Sequence, residues 1–408
     1  MRIAYVLASF PSVSETFVLR EIRALRKRRA DIEIFSLRRP QSGNLPSGRE
    51  EASNISYCPS ILSLRLVVSQ FYFLFSSPQR YFRAYFKTMS SARESGRGRG
   101  MGAKVFAAGA VFAFQARKKK IDHVHAHFMF VPADVAMTMS LLLGTGYSVS
   151  AHAWDIYTQS PEELAPHVRS ARFISVCTEH GLHRLRTQFP DAPAGKIKCV
   201  RHGICLEEFN PPERPACTAV PLVLGVGRLV EKKGFIYLVE ACRILKNEGF
   251  SLQCRILGGG PLKKALKGTI EKRDLKKEVS IEGEAPLEEV KKAYSEADVL
   301  VLPSVVDSKG DRDGMPNVII EAMAMGVPVV TTAVSAAREI LRHNVTGYMA
   351  APADPHALAE GIKKLTLNPG LRDRIKRAGR ETVTEKFDIL KNVEQLSGLF
   401  EDSVNANH

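Results

Sequence analysis

Leu222-Val223-Leu224-Gly225-Val226-Gly227-Arg228-Leu229-Val230-Glu231-Lys232-Lys233-Gly234 is the stretch that decides the fold. An apolar run of strand length ends in a glycine turn, and a helical pattern over residues 234–247 follows. The alternation continues through strands expected at 254–257, 279–282, 299–302 and 327–331, with helices expected at 287–297 and 317–325. On the N-terminal side it runs through expected strands at 2–8, 31–37, 123–126, 147–151, 173–176 and 197–200. Ser12-Val13-Ser14-Glu15 fits a capping box ahead of the first helix, and residues 95–102 read as a small glycine-rich loop. Strand–helix alternation implies parallel sheets covered by helices. Asn210-Pro211-Pro212-Glu213-Arg214-Pro215 packs three prolines where neither a helix nor a central strand tolerates them, so it reads as a linker. The expected architecture is therefore α/β, with two doubly wound Rossmann-like domains of similar size facing a central cleft. The first covers residues 1–210 and the second 211–385, and residues 386–408 form a C-terminal helix free to return to the first domain.

The 408 residues are 45% hydrophobic and 25% charged, a globular mixture that excludes disorder and collagen. A chain of this length can bury a large core without disulfides. Its seven cysteines are scattered, with no C-x-x-C pair, which disfavours a zinc ribbon or a thioredoxin-like site and fits a reducing cytoplasm. The longest apolar runs, 66–75 and 105–114, fall short of the roughly 18–20 residues of a membrane span. The N-terminus reads as a strand rather than a signal peptide. Cytoplasmic location is expected, with peripheral attachment to the inner face of the plasma membrane left open.

The net charge of +15 is uneven. Residues 1–210 hold 29 Lys+Arg against 16 Asp+Glu, and residues 61–120 hold twelve against the single acid Glu94. Phe71, Tyr72, Phe73, Phe75, Tyr81, Phe82, Tyr85 and Phe86 are interleaved there. Basic plus aromatic suits an anionic membrane surface. Core helices with solvated basic faces explain the same pattern. Nucleic acid is disfavoured, because no helix-turn-helix, zinc-finger or RNP pattern accompanies the charge.

Two glycine clusters follow strands, yet Gly225-Val226-Gly227 lacks the third glycine of G-x-G-x-x-G, and Gly258-Gly259-Gly260-Pro261 does not supply it. A dinucleotide oxidoreductase is thereby disfavoured. A strand end, a tight turn and the cations Arg228 and Lys233 at a helix start instead suit a diphosphate. In Asp311-Arg312-Asp313-Gly314-Met315-Pro316-Asn317-Val318-Ile319-Ile320-Glu321-Ala322, a loop leads into a helix with Pro316 suited to its first position. Free N–H groups around Gly314, Met315, Asn317 and Val318 can face an anion. Glu321 can accept two hydrogen bonds from a diol. The plainer alternatives are a capping role for Asp313 and a solvated Glu321.

These segments resemble the GT-B glycosyltransferases of family 4 (group 1). Asp313-Gly314-Met315-Pro316 through Glu321-Ala322 is similar to that family's E-G-x-P-x-x-x-x-E-A donor motif. Gly227-Arg228-Leu229 through Lys233-Gly234 resembles G-R-L-x-x-x-K-G. Residues 203–211 resemble its linker, Gly258–Leu262 its G-[DE]-G-P-L segment, and Val301-Leu302-Pro303-Ser304 the strand before the donor loop. In the N-terminal half, Phe10–Val18, His125-Ala126-His127-Phe128 and Ser150–Tyr157 resemble the colanic acid and amylovoran exopolysaccharide subgroup.

The resemblance implies a retaining, metal-independent hexosyltransferase. It would act by front-face displacement, with a nucleotide-diphosphate-sugar as co-substrate and no further cofactor. The acceptor would be a glycan or a polyprenyl-diphosphate-linked intermediate of an exopolysaccharide or capsule. It implies that Arg228, Lys233, Gly227 and the turn and helix start formed by Gly314, Met315, Pro316 and Asn317 surround the diphosphate. Glu321 would take the ribose, Asp313 the donor sugar, and His152 the reaction centre. His127 and Glu15 are lesser candidates on the acceptor side, and the loop 283–286 would border the base. Asp311-Arg312-Asp313 spells D-x-D, which is read as coincidence rather than a metal site. Three positions depart from the family: Asp313 where Glu is usual, Cys205 for an Asp, and Gly259 for an acid. A catalytically silent nucleotide-sugar or lipid-glycan binding subunit is the alternative from another class.

Overall fold

The computed structural model describes residues 1–12, 15–40, 55–60, 63–211 and 220–406. The chain forms two compact units, residues 1–201 with 391–408, and residues 202–390.

In the first unit the order is β1 (Arg2–Ser9), α1 (Thr16–Lys27), β2 (Asp31–Arg38), β3 (Ile55–Tyr57), α2 (Leu64–Ser76), α3 (Pro78–Glu94), α4 (Gly98–Ala116) and β4 (His123–His127). There follow α5 (Val131–Leu143), β5 (Gly146–Ala151), α6 (Ala153–Thr158), α7 (Pro161–Ser170), β6 (Ile174–Val176), α8 (Glu179–Gln188) and β7 (Ile197–Cys199). The seven strands lie in the order β3-β2-β1-β4-β5-β6-β7, every pair parallel. Because helices cover both faces, β1 is a nearly continuous buried run rather than an alternating one.

The second unit repeats the scheme. Its elements are β8 (Leu222–Val226), α9 (Phe235–Asn247), β9 (Gln253–Leu257), α10 (Lys263–Lys272), β10 (Val279–Gly283), α11 (Leu287–Glu296) and β11 (Val299–Leu302). Then come α12 (Asn317–Ala324), β12 (Val329–Thr332), α13 (Ala337–Ile340), β13 (Tyr348–Ala350), α14 (Pro355–Leu367) and α15 (Pro369–Lys386). Its six parallel strands run β10-β9-β8-β11-β12-β13. In both sheets the order reverses beside the first strand, between β1 and β4 and between β8 and β11. In open parallel sheets this switch point is where the loops at the strand ends part and leave room for a ligand.

The last helix, α16 (Ile389–Asn405), groups with the first unit from Lys391 onward. Its fully buried Phe400 packs against the rings of His125 at 5.1 Å and His123 at 5.6 Å, and Ser403 Oγ lies 3.1 Å from His123 Nδ1. Burying a phenylalanine contributes about 1.5–3 kcal/mol. The division between units falls at Arg201/His202, ahead of the proline-rich stretch. Residues 202–210 belong with the second unit because the Ile204 N–H donates to Phe387 O (2.9 Å) and Arg380 Nη1 to Phe209 O (2.8 Å). Of the linker, residues 212–215 lie outside the described residues.

Several local expectations need correction. Residues 98–102 are helical, not a loop. Gly102 serves packing: a Cβ there would stand 2.9 Å from the Met89 Sδ and 3.0 Å from the Ala92 Cβ, so α3 and α4 approach closely there. Tertiary contact has outweighed glycine's poor helix propensity. Helix α1 starts at Thr16 with Glu15 at its N-cap and no side-chain cap bond, while Val13 and Ser14 of the expected capping box lie outside the described residues. Pro316 is the N-cap of α12 rather than its first helical residue. Among the described residues, no helix is long and apolar enough to cross a membrane.

Candidate active site

The second unit's switch point collects most of the residues singled out in the sequence. After β8 the chain turns at Gly227, whose N–H donates to Leu257 O (3.0 Å), and the Leu229 N–H donates to Gly259 O (2.7 Å). The two glycine clusters thus lock onto each other. A Cβ on Gly258 would fall 1.8 Å from Gly227 O, so only glycine permits this approach. Gly234 is left-handed (φ +64°), and a Cβ there would fall 2.0 Å from Pro303 O. That contact brings the segment after β8 against the loop after β11.

Across this seam Lys233 Nζ lies 2.8 Å from Asp313 Oδ1 and 2.9 Å from Oδ2. Ser304 Oγ donates to Asp313 Oδ2 at 2.6 Å. Both partners of the pair are about seven-eighths buried, their side chains 13% and 12% exposed. The Lys233 stem runs along Gly227: a Cβ there would meet its Cε at 3.5 Å. One residue upstream, Lys232 Nζ pairs with Asp311 Oδ2 at 2.8 Å. Burial pushes the Asp313 carboxyl upward, but the Lys233 charge and hydrogen bond, Ser304 and Lys232 outweigh it and hold Asp313 below the usual carboxylate value. Asp313 is therefore not a helix cap. The Arg228 side chain is exposed and has no hydrogen bond or ion pair among the described residues.

Gly314, Met315 and Pro316 lead directly into α12, whose first N–H groups, at Asn317 and Val318, precede the first intrahelical bond. Glu321, one turn on, is buried rather than solvated, and its Oε2 accepts from Tyr294 Oη at 2.9 Å. The missing acid at Gly259 has a physical counterpart: a Cβ there would stand 2.5 Å from Glu284 Oε1, so the Glu284 carboxylate fills that space. Cys205 stands at the N-cap of a short 3-10 turn and makes no side-chain cap bond.

His152 and His127 lie in the first unit, at the ends of β5 and β4. His152 Nε2 is 3.1 Å from His127 Nδ1, and His127 Nε2 is 3.1 Å from Glu21 Oε1, which also accepts from Tyr5 Oη at 2.8 Å. All four side chains are buried. Phe128 and Phe17 flank His152, with ring centroids at 4.5 Å and 4.9 Å, and the exposed Trp154 stands beside Phe130. Asp155 Oδ2 accepts from the His152 N–H at 2.8 Å. Its burial, only partly offset by that bond, one from Met129 and the Arg97 charge, pushes its pKa up to about 7. Glu21, His125 and His127 offer ligand atoms within 4.8 Å of one another. Each nitrogen of the two rings already has a partner, those of His125 being Ser148 and Ser150. Burial, together with the neighbouring histidines, pushes His125 well below the ordinary histidine value, as suits a neutral hydrogen-bonded network.

Ser304, Tyr294, the Lys232–Asp311 pair, Glu21 and Tyr5 carry these arrangements without having been assigned roles from the sequence. The signal for Glu21 was an acid on the apolar stripe Phe17, Val18, Ile22, Leu25 of α1. For Tyr294 it was a tyrosine on the apolar face of α11, set by Leu287 and Val290.

Residues 208–382 match the family model "Glycosyl transferases group 1". The chain is 38% identical over 209 residues to the amylovoran biosynthesis glycosyltransferase AmsK of Erwinia amylovora, a match covering 51% of each chain. In that match the chain spans about half the relative's length. It is 29% identical over 418 residues, 98% of this chain and 100% of the other, to a Salmonella typhimurium protein named as a candidate colanic acid biosynthesis glycosyltransferase, WcaL. Its fold is that of sucrose-phosphate synthase from Thermosynechococcus elongatus (TM-score 0.73, 19% identity, 100% of both chains). It is likewise that of Anabaena HepE, solved with UDP and glucose (TM-score 0.73, 15% identity, 98% and 100% covered). The GT-B expectation, two Rossmann-like domains with parallel sheets, is met.

Proposed function

We propose, from the match of residues 208–382 to the glycosyl transferases of group 1, that the chain is a retaining glycosyltransferase. It moves a sugar from a nucleotide-diphosphate donor to a glycan acceptor. Two relatives are named for amylovoran and colanic acid biosynthesis, and the acceptor we propose is accordingly a growing exopolysaccharide or capsule intermediate on a lipid carrier.

The observation that carries this reading is the joining of Lys233, Asp313 and Ser304 at the switch point of the second sheet, beside the Gly227 turn and the exposed Arg228. Negative charge grows on the diphosphate as the bond from sugar to phosphate breaks. Fixed cations and helix N–H groups placed there stabilise the transition state more than the ground state. Arg228, Lys233 and the start of α12 supply those groups. Asp313 orients Lys233 and offers its carboxylate to the donor sugar's hydroxyls. Glu321, held by Tyr294, takes the ribose. The departing phosphate helps remove the acceptor proton, so no side-chain nucleophile is invoked. The two acids of Asp311-Arg312-Asp313 are each neutralised by a lysine, which supports reading them as ion-pair partners rather than metal ligands. Acceptor recognition is assigned to the first unit, around His152, His127 and Trp154.

The test is a donor panel. Full-length protein is incubated with UDP-, GDP- and ADP-sugars, with and without bacterial membrane lipid extract, and released nucleoside diphosphate is measured. Release from one donor, raised by lipid, is the expected result. Donor binding with silence across the panel, lipid included, would overturn the transferase and point to a non-catalytic binding subunit.

A further inference from the structure

Helices α2 and α3 are folded inside out. On α2 only Ser69 and Phe73 are buried, while Leu64, Val67, Val68, Phe71, Tyr72 and Phe75 are exposed, Phe75 at 77%. Leu64, Val68, Phe71 and Phe75 recur three or four residues apart, so they form one outward stripe, and the Phe71 and Phe75 rings stack at 6.2 Å. On α3 the buried residues are Ala84, Thr88, Ser91 and Ala92, whereas Phe82, Tyr85 and Phe86 face out.

Hydrogen bonds to α5 fix this register. Thr88 Oγ1 lies 2.7 Å from Thr138 Oγ1, and Ser91 Oγ donates to Asp134 Oδ1 at 3.3 Å. The Asp134 carboxylate is in turn paired with Arg97, and His167 Nε2 lies 3.2 Å from it. Rotating α3 to bury its aromatics would strand these buried polar groups, which is costly. The aromatics are thus held outward by the packing beneath them.

A contiguous apolar face of this kind marks a partner. The charge around it says which. Arg65, Arg80, Arg83, Lys87 and Arg93 lie on the two helices against the single acid Glu94. Exposed Arg117, Lys118 and Lys120 follow α4, with the Arg117 guanidinium 5.6 Å from the Tyr72 ring centroid. A second copy of the same face would set these cations against each other. An anionic bilayer interface accepts both the aromatic stripe and the cations.

We infer that α2 and α3 dock the protein on an anionic membrane surface, with the Leu64–Val68–Phe71–Phe75 stripe and Phe82/Phe86 entering the interfacial layer. This reading is independent of the catalytic proposal, since its readout is binding alone.

The test is co-sedimentation of the full-length protein with vesicles of phosphatidylcholine, alone or with a third phosphatidylglycerol. Wild type should partition at least about tenfold more strongly onto the anionic vesicles, and the gain should fall with salt. F71S/F75S/F86S should lose about tenfold or more of that binding, while L367S, which removes an equally exposed leucine on α14, should not. As a second readout that keeps the core and stripe intact, F75W in a W154F background should shift its emission to the blue on anionic vesicles. The inference is overturned by no binding, by equal binding to neutral vesicles, by full binding of the triple variant, or by unshifted emission from the F75W variant. It is also overturned if wild type is a dimer in solution that the triple variant dissociates.

Discussion

Replacing Lys233 by alanine tests the site most directly, because its effect on stability and its effect on chemistry can be separated. The ammonium bridges both oxygens of Asp313 at 2.8 and 2.9 Å in a pocket that leaves both side chains about one-eighth exposed. Removing one member of a buried pair costs about 3–5 kcal/mol, because the other charge is left uncompensated. Ser304 and nearby Lys232 still serve Asp313, so the low end, about 3 kcal/mol, is expected for Lys233→Ala. For a unit of this size that is a fall of about 6–12 °C in the transition midpoint. Removing both charges should restore much of the loss, giving a coupling of about 2 kcal/mol between Lys233→Ala and Asp313→Ala. Turnover should not return with it. The pH dependence has a definite sign. Asp313 is held below its unfolded value, so its contribution is present above the unfolded carboxyl pKa and is lost as pH falls through the folded one. The penalty of Lys233→Ala should therefore be full near neutrality and shrink on acidification below that range. Scanning calorimetry of the four full-length proteins across pH, paired with donor turnover, makes the measurement. A coupling near zero would refute the reasoning about the pair. A double variant with wild-type turnover would refute the site.

Other outcomes follow from the same geometry. Arg228→Ala should leave the melting midpoint within experimental error, since the side chain is exposed and unpaired among the described residues, yet cut donor turnover at least about tenfold; unchanged kinetics would remove Arg228 from the diphosphate. Tyr294→Phe deprives buried Glu321 of its 2.9 Å donor and should cost about 1–3 kcal/mol, with donor KM rising more than kcat falls; an unchanged KM would detach Glu321 from donor binding. Asp155, pushed up to about 7 by burial, contributes stability that is full below its unfolded pKa and lost as pH rises through about 7. Wild type should thus melt lower at pH 8 than at pH 5 by more than Asp155→Asn does, and parallel pH–stability curves for the two would contradict the shift.

The parallel sheets were legible because buried strands and covering helices leave different periods in a sequence. Residues 222–226 and 299–302 were readable to the residue, since apolar runs bounded by Gly227 and Pro303 have only one way to end. The loops after β8 and β11 drew attention because Gly-Arg, Lys-Gly and Gly-Met-Pro stand in the order of the resembled family's motifs. What stayed hidden depends on which face of a helix turns inward. The aromatics of α2 and α3 satisfy a core reading and a surface reading equally. For α3 the pairing of Thr88 and Ser91 with Thr138 and Asp134 decides between them, and those partners are far away in sequence. Glycine at 98, 100 and 102 is a loop signal locally, and at Gly102 it becomes a packing signal once Met89 and Ala92 are in place. Short β3, at the sheet edge and half-buried, had too few residues to show a period.

The arrangement of charge at the second switch point also bears on the order in which cations meet a donor. Lys232 and Lys233 are balanced by Asp311 and Asp313, so these four side chains together present no net charge. Arg228 is the cation at this turn with nothing to offset it among the described residues. On the proposed function, attraction of an incoming diphosphate begins at Arg228, helped by the first N–H groups of α12. Lys233 then exchanges part of its bond to Asp313 for a phosphate oxygen, and the freed carboxylate oxygen becomes available to a sugar hydroxyl. A cation already paired to a carboxylate in a buried site needs little reorganisation to turn to a second anion, because the cost of its desolvation was met when the chain folded. Asp313, in place of the glutamate usual in the resembled motif, has a second partner besides Lys233, since Ser304 Oγ donates to its Oδ2 at 2.6 Å.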